Sequence, residues 1–350
     1  MVRALMMRVM VAAALVWASG VFATDIWYED SNLGKSGGIP SDFKEKFLHE
    51  DSFARATSYI DVYMVRSSVL NAMDDRFVTE LFIPYLKRHH IKLAINTGGS
   101  TWTQIKGRER VADRDLDLLR RLRELGASVD YVSLQSVLSK TPKIDGQRAD
   151  YSLAKRLADV VAFARAVHQV YPAAEIGIID ALPSQGRSYQ EPYRRLRDAL
   201  ADAGLRLSYI HLDIPFDIPR GHRRGVTWDG IRAVERYVED DLGLKFGYFT
   251  TTRKGGESSS KAFHAGVLAS LECYAGVGGT PAAFIVASWF PYPDRTIPDD
   301  AIGDDYPAMR TVADFGRELD AIERGGAAWV SEQAQDPAWR GQCGLNGGGY

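Results

Sequence analysis

Apolar residues in this 350-residue chain fall into short runs that are apolar at nearly every position. Runs of this kind are typical of parallel strands that are covered on both faces. Polar, glycine-rich or proline-containing stretches separate them from longer segments with helical spacing. The strand-like runs cover residues 26–30, 58–65, 91–96, 128–135, 175–180, 207–214, 245–251 and 282–289.

Segments between these runs carry apolar residues at helical spacing. They cover residues 74–89, 113–125, 150–171, 190–203, 227–242, 258–274 and 307–322, with a less regular one at 42–56. Polar capping residues precede several of them and glycine or proline follows, as helix ends require. Strict alternation predicts a parallel sheet, and eight units over 24–328 predict a single (β/α)8 TIM barrel. An open, doubly wound sheet is the alternative. Its dinucleotide-binding form would carry a G-x-G-x-x-G turn after an early strand, and NTGGS matches that motif only weakly.

Both ends of the chain differ from this pattern. The start, MVRALMMRVMVAAALVWASGVFATDIW, has a basic head, a short apolar run and small residues up to Ala23. These features predict a cleaved signal peptide at 1–23 and a secreted or periplasmic protein without a membrane anchor. The other end, 329–350, is polar and rich in glycine. It is predicted to be a tail, loosely ordered beyond Cys343.

Composition narrows the classes of function. The formal net charge is −2, and no basic stripe indicates a nucleic-acid partner. The two cysteines, Cys273 and Cys343, are predicted to form a disulfide in an oxidising compartment, with two unpaired buried thiols as the alternative. Their spacing matches no metal-ligand pattern. Neither a metal nor a cofactor is therefore predicted.

The candidate chemistry lies where strands end, because the active groups of such barrels gather at the carboxyl ends of their strands. In LSYIHLDIPFDIPRG, His211 and Asp213 alternate with aliphatic residues, which predicts that both point into the barrel. Asp180 ends the preceding strand and is predicted to face Asp213 across a ligand. Glu29, on the first strand, is the reserve candidate.

Two carboxylates at one pocket are what glycoside hydrolysis requires, because one protonates the leaving oxygen and the other attacks or activates water. Asp180, Asp213 and Glu29 are therefore the predicted catalytic residues. The alternatives are a capping role for Asp213, backbone binding for Asp180 and interior packing for His211. Glu29 has a surface position as its alternative, and Trp289 a place in the core. The predicted substrate contacts are Asp30, Tyr63, Arg66, Asn96, Gln135, His211, Tyr248 and Trp289.

One further segment, TRKGGESSS at 252–260, is basic and rich in glycine and serine. Its composition predicts a solvated loop. An anion-binding loop and a mobile lid are the alternatives.

The closing segment AAFIVASWFPYPDRTIPDD resembles the last strand of secreted glycoside hydrolase barrels, in many of which a tryptophan ending that strand forms the sugar-binding floor. Trp289 occupies the matching position. The chain departs from the largest retaining clan, which carries a catalytic glutamate at the ends of strands four and seven. Here those ends hold Gln135 and residues 248–252, and VDYVSLQSV lacks the chitinase-like D-x-x-D-x-D-x-E pattern.

The resemblance implies an exported glycoside hydrolase or transglycosylase acting on a polysaccharide or oligosaccharide. A carbohydrate-binding barrel without catalysis is the alternative.

Overall fold

The computed structural model describes residues 24–30, 42–98, 111–138, 143–144, 147–148, 152–182 and 188–345. Within these ranges, eight parallel strands close into one barrel, in which each strand pairs with the next barrel strand along the chain and the last pairs with the first. The (β/α)8 prediction is confirmed. The barrel strands are β1 Asp25–Asp30, β2 Val62–Arg66, β3 Lys92–Thr97, β4 Tyr131–Gln135, β7 Glu175–Asp180, β8 Leu207–Leu212, β9 Lys245–Thr250 and β10 Ala283–Ala287. A small antiparallel hairpin joins β5 Lys143–Ile144 to β6 Gln147–Arg148.

Helices surround the barrel. The longer ones are α6 Val111–Glu124, α7 Leu153–Val170, α8 Gln190–Asp202, α10 Trp228–Arg236, α12 Ser260–Gly276 and α13 Ala308–Gln335. The shorter ones are α1 Phe43–Lys46, α2 Ala54–Thr57, α3 Ser67–Asn71, α4 Asp75–Phe77, α5 Ile83–Arg88, α9 Asp217–Arg220, α11 Arg253–Ser258 and α14 Pro337–Gln342. Two π-helical turns, Val78–Phe82 and Tyr237–Asp241, follow α4 and α10. Among the described helices, none is long and apolar enough to cross a membrane.

Strand residues divide between two apolar cores. The inner core fills the barrel with Trp27, Val62, Met64, Ala94, Tyr131, Ile179, Tyr209, Phe249, Ala283, Ile285 and Ala287. The neighbouring residues on the same strands pack outward against the helices in a larger core. Because side chains alternate along a strand, membership of one core or the other fixes which face each strand residue occupies.

Two glycines make room for large rings inside the barrel. A Cβ atom on Gly177 would lie 2.1 Å from the ring of Tyr209, and one on Gly247 would lie 2.4 Å from Cδ2 of His211. Real Cβ atoms do not approach other atoms so closely, because the interior is close-packed. Glycine at these two strand positions therefore allows the rings of Tyr209 and His211 to fill the barrel.

Several predicted boundaries differ from the structure. The irregular segment at 42–56 is divided into α1, a 3₁₀ turn at Glu50–Phe53 and α2. The helix predicted to end at 322 continues as α13 to Gln335, with non-helical backbone angles at Gly326, and α14 follows. Residues 329–342 of the predicted tail are therefore largely helical, with Trp339 buried. The predicted signal peptide at 1–23 and the last residues, 346–350, lie outside the described ranges.

The predicted disulfide between Cys273 and Cys343 is present. It joins α12 to the residue that follows α14, and both cysteines are fully buried. The bond ties the end of the chain to the helical layer.

Candidate active site

A buried carboxylate, Glu29, lies at the carboxyl end of β1. It is 2 % exposed and shares the inward face of the strand with Trp27. Its Cα pairs with Ala287 on β10 and with Met64 on β2, both of which belong to the inner core. A charged side chain at this depth requires polar partners, because burial of an unpaired carboxylate is costly.

Arg66 and Asn96 supply such partners from the next two strands around the barrel. The Asn96 amide donates a hydrogen bond of 2.6 Å to Oε1 of Glu29, and Nε of Arg66 lies 3.5 Å from the same oxygen. Asn96 is buried, whereas the Arg66 side chain keeps 20 % of its surface exposed. Three residues predicted separately at strand ends therefore form one connected group.

Asp213 and Gln135 are further polar residues at this end of the barrel. The barrel mouth is defined here by six residues: Glu29, Arg66, Asn96, Gln135, Asp213 and Trp289. Asp213 directly follows β8, and its backbone N–H donates to the Asp180 carbonyl at 2.8 Å. Leu212 and Ile214 pack in the outer core, so alternation places Asp213 on the inward face, as predicted. Gln135 ends β4 next to outward-packed Leu134, and both Asp213 and Gln135 are half-buried.

Asp180 occupies the opposite face of its strand, and the placement predicted for it is wrong. Ile179 belongs to the inner core, whereas Ile178 and Leu212, the register partner of Asp180, belong to the outer one. Burial raises the pKa of Tyr193 on α8 well above its ordinary value, and the charge of Asp180 raises it further. Asp180 therefore points towards α8, although the catalytic role predicted for it stays a prediction.

Tyr63 and Tyr248 also face the helices rather than the mouth, which corrects their predicted placement. Both are fully buried in the outer core. Tyr63 accepts a hydrogen bond from the ammonium group of Lys46, which is itself fully buried. Tyr248 donates to the Ile214 carbonyl at 3.2 Å and lies 3.3 Å from the Ser270 hydroxyl. The backbone of Asp30 pairs with Val65, but its side chain lies outside what the structure describes.

His211 lies inside the barrel, one inward position deeper than Asp213. It is 2 % exposed, and its ring is 4.6 Å from that of Trp27 and 4.5 Å from that of Tyr209. Burial lowers the pKa of His211 to about 3, and the nearby charge of Lys245 contributes to the shift. The imidazole is therefore neutral at ordinary pH, so that it can hydrogen-bond but carries no charge.

Trp289 forms the aromatic part of the mouth. It follows β10, is half-buried and packs on the inner core, with its ring 6.2 Å from that of Phe249 and 5.3 Å from that of Phe290. Its position suits the sugar-stacking role predicted for it, since it follows the strand that pairs with β1 and keeps an exposed surface.

Thr251 and Asp217, which lie near the ends of β9 and β8, were not among the predicted catalytic residues or substrate contacts. Thr252 packs outward against Gly266, so alternation places Thr251 on the inward face, next to the end of β9. Asp217 accepts hydrogen bonds from the Thr252 hydroxyl and from the backbone N–H groups of Arg253 and Lys254. The position of Thr251, one residue past the end of a strand, is the sequence feature that could have identified it. The sequence around Asp217 does not predict its role, because its hydrogen-bond partners lie 35 to 37 residues further along the chain.

The segment 252–260, predicted as a solvated loop, is largely the helix α11. Asp217 already accepts the N–H groups at its start, so this helix end presents a carboxylate rather than a vacant anion site. Elsewhere in the described ranges, no three histidine, cysteine, aspartate or glutamate side chains gather closely enough to hold a metal ion. The mouth offers carboxylates, amides, a guanidinium group and an aromatic ring.

Comparisons with known proteins bear on the fold. No protein-family model and no curated protein matches the sequence. Among solved structures, a glucosidase from Croceicoccus marinus is similar with a TM-score of 0.52 and 12 % identity, over 85 % of this chain and 68 % of that one. Xylanase 10B from Thermotoga maritima has a TM-score of 0.50 and 13 % identity, over 87 % of this chain and 97 % of that one. At such identities the likeness shows the fold alone.

Proposed function

We propose that the protein is a glycoside hydrolase or transglycosylase acting on a polysaccharide or oligosaccharide, with Glu29 and Asp213 as its reacting carboxylates. The observation that carries this proposal is Glu29 itself, a buried carboxylate at the mouth of the barrel in contact with Asn96 and Arg66. The glycosidase-like neighbours of the fold and the exposed face of Trp289 support a sugar substrate.

The surroundings of the two carboxylates suggest different roles. A guanidinium group and an amide N–H are the partners that stabilise an ionised carboxylate, which is the form needed by a nucleophile or general base. Asp213 is half-buried after β8, so part of its surface is exposed to solvent. A residue in that position can exchange a proton with water between turnovers. We therefore assign the nucleophile or base to Glu29 and the general acid to Asp213.

Activity measurements on three isosteric variants test this assignment. Release of reducing ends from a panel of polysaccharides should fall about 10²- to 10⁴-fold in Glu29→Gln and in Asp213→Asn. Asp180→Asn is the matched control, because its carboxyl group faces α8, and it should stay within about threefold of the parent. A large loss in Asp180→Asn with the fold intact would restore the sequence-based assignment. Full activity in Glu29→Gln would overturn the assignment of Glu29 as the nucleophile or base.

The binding-barrel alternative predicts a different result. A parent protein that binds polysaccharides without cleaving any of them would favour a carbohydrate-binding barrel. The aromatic surface at Trp289 would then act without the carboxylates.

Export belongs to the same proposal. It is supported by the secretory character of residues 1–23 and by the buried disulfide, a bond that persists in oxidising compartments. Intact-mass analysis of protein recovered outside the cytoplasm should give a chain that begins at Thr24. Recovery of a chain that still begins at Met1 would contradict export by signal cleavage.

A further inference from the structure

Four inward-facing side chains of the barrel each contain a buried polar atom without a hydrogen-bond partner among the described residues. The atoms are Nε1 of Trp27, Oδ1 of Asn96, Nδ1 of His211 and Oγ1 of Thr251. Their residues are at most 3 % exposed. Leaving a buried donor or acceptor unsatisfied is destabilising, so four such atoms inside one barrel require an explanation.

The four residues are connected through the interior of the barrel. The rings of Trp27 and His211 lie 4.6 Å apart, and Trp27 shares a strand face with Glu29, which accepts the amide of Asn96. On the other side, the Phe249 ring lies 6.4 Å from that of His211, and Thr251 is the next inward residue after Phe249. The four residues are therefore linked, through ring contacts and shared strand faces, to the carboxylate of Glu29 at the mouth.

The chemistry of this region suits an uncharged ligand that is rich in hydroxyl groups. Asn96 offers an acceptor, Trp27 a donor, and Thr251 and His211 either function. His211 is neutral, since burial lowers its pKa to about 3. Among the described residues that define the mouth, the cation is Arg66, and it pairs with Glu29. A carboxylated or phosphorylated sugar would therefore lack a cationic partner here.

We propose that Trp27, Asn96, His211 and Thr251 form the deep end of the substrate site and recognise hydroxyl groups of an uncharged sugar residue. This inference rests on the proposed function, because it requires the barrel mouth to be the sugar site. The half-buried ring of Trp289, which packs against Phe249, provides the apolar surface against which such a residue would stack.

The test is calorimetric binding in a Glu29→Gln/Asp213→Asn background, which lacks both proposed reacting carboxylates. The probes are xylotriose, cellotriose and mannotriose, with the galacturonic acid trimer as charged comparator. At least one neutral probe should bind. Thr251→Val and His211→Phe should each weaken that binding about 3- to 10-fold, the effect of losing one hydrogen bond. Thr251→Ser, which keeps the hydroxyl group, should bind the probe as tightly as the parent.

Thr311→Val is the matched control. The Thr311 hydroxyl is likewise buried without a partner among the described residues, but it lies on α13, so its removal should leave binding unchanged. Equal affinity in Thr251→Val, His211→Phe and the parent would overturn the proposal and assign the four atoms to internal water. Tighter binding of the charged trimer, or no binding of any neutral probe, would overturn it as well.

The two proposals fail in different ways. Loss of binding in the Thr251 and His211 variants, together with full turnover in Glu29→Gln measured on the otherwise native chain, would retain the deep subsite and overturn the catalytic assignment. Unchanged binding in those variants, with turnover lost in Glu29→Gln, would retain the catalytic assignment and overturn the deep subsite.

Discussion

His211 shows how burial sets the chemistry of a single residue. Its ring lies among Trp27, Tyr209 and Phe249, and Gly247 leaves the space that it fills. The polar alternation of β8 predicted its inward direction correctly. What the sequence could not supply was the set of rings around it, since those rings come from three other positions in the barrel. The depth of burial, rather than a partner charge, is the main reason that the ring is neutral.

The buried His211 should make the protein less stable in acid. Its pKa is about 3 in the folded chain and near 6.5 when unfolded, so between these values only the unfolded chain takes up the proton. The free energy of unfolding should therefore fall by about 1.4 kcal/mol for each pH unit below 6.5. In urea titrations, moving from pH 7.5 to pH 4.5 should cost the parent about 2–3 kcal/mol more than it costs His211→Phe.

His49→Phe is the control for this titration, because His49 is exposed. It should keep the pH dependence of the parent. If His211→Phe lost stability in acid as steeply as the parent, the pH dependence would have to be assigned to other groups.

The orientation of strand residues explains which site predictions failed. β7 reads EIGIID, with isoleucine on both faces, so its sequence does not indicate that Ile179 points inward and Asp180 outward. β2 is buried on both faces in the same way, which led to the misplacement of Tyr63. In parallel strands covered on both sides, hydrophobicity identifies the strand but not its inner face.

At the scale of elements, α11 illustrates a helix whose start depends on a distant residue. Its sequence, RKGGES, contains two glycines, which are poor helix formers. Thr252 caps the helix by accepting the N–H of Gly255 at 3.2 Å, and Asp217 accepts three further donors at 2.7–3.1 Å. Local propensity therefore predicted a loop, and a carboxylate at the start of α9 stabilises a helix instead.

Removing the carboxylate of Asp217 should release this helix start. Asp217→Ala leaves three buried or half-buried donors without their acceptor, so we expect the free energy of unfolding to fall by about 2–3 kcal/mol in urea titrations. Asp229→Ala is the control, because Asp229 is exposed in the first turn of α10, and it should change stability by less than about 0.5 kcal/mol. A drop of equal size in both variants would contradict the capping role of Asp217.

At the scale of the whole molecule, the barrel was predictable because each of its eight strands is a compact apolar run bounded by turn residues. The contact of Glu29 with Arg66 and Asn96 was not predicted, because it depends on the pairing of β1 with β2 and of β2 with β3, which places the ends of these strands side by side. The sequence supplied each residue at a strand end. The distances among them required the three-dimensional arrangement.

The end of the chain is attached to the barrel by more than its disulfide. Trp339 on α14 packs onto Gly276 of α12, where a Cβ atom would lie 2.1 Å from its ring, and Nε1 of Trp228 donates to the Cys343 carbonyl at 2.9 Å. These contacts hold Cys343 beside Cys273 in the folded state. The bond itself adds a constraint on the unfolded chain.

Loss of the disulfide should therefore lower stability without changing the fold. The cysteines are separated by 70 residues, and opening a loop of that length lowers the free energy of unfolding by about 4 kcal/mol in the chain-entropy model. Urea titration of Cys273→Ala/Cys343→Ala should show this decrease, and dithiothreitol should produce a similar one in the parent but none in the double variant. Because Trp228 and Trp339 pack without the bond, the folded double variant should keep the tryptophan fluorescence of the parent. An unchanged urea midpoint in the parent after complete reduction would show that the bond does not stabilise the folded chain.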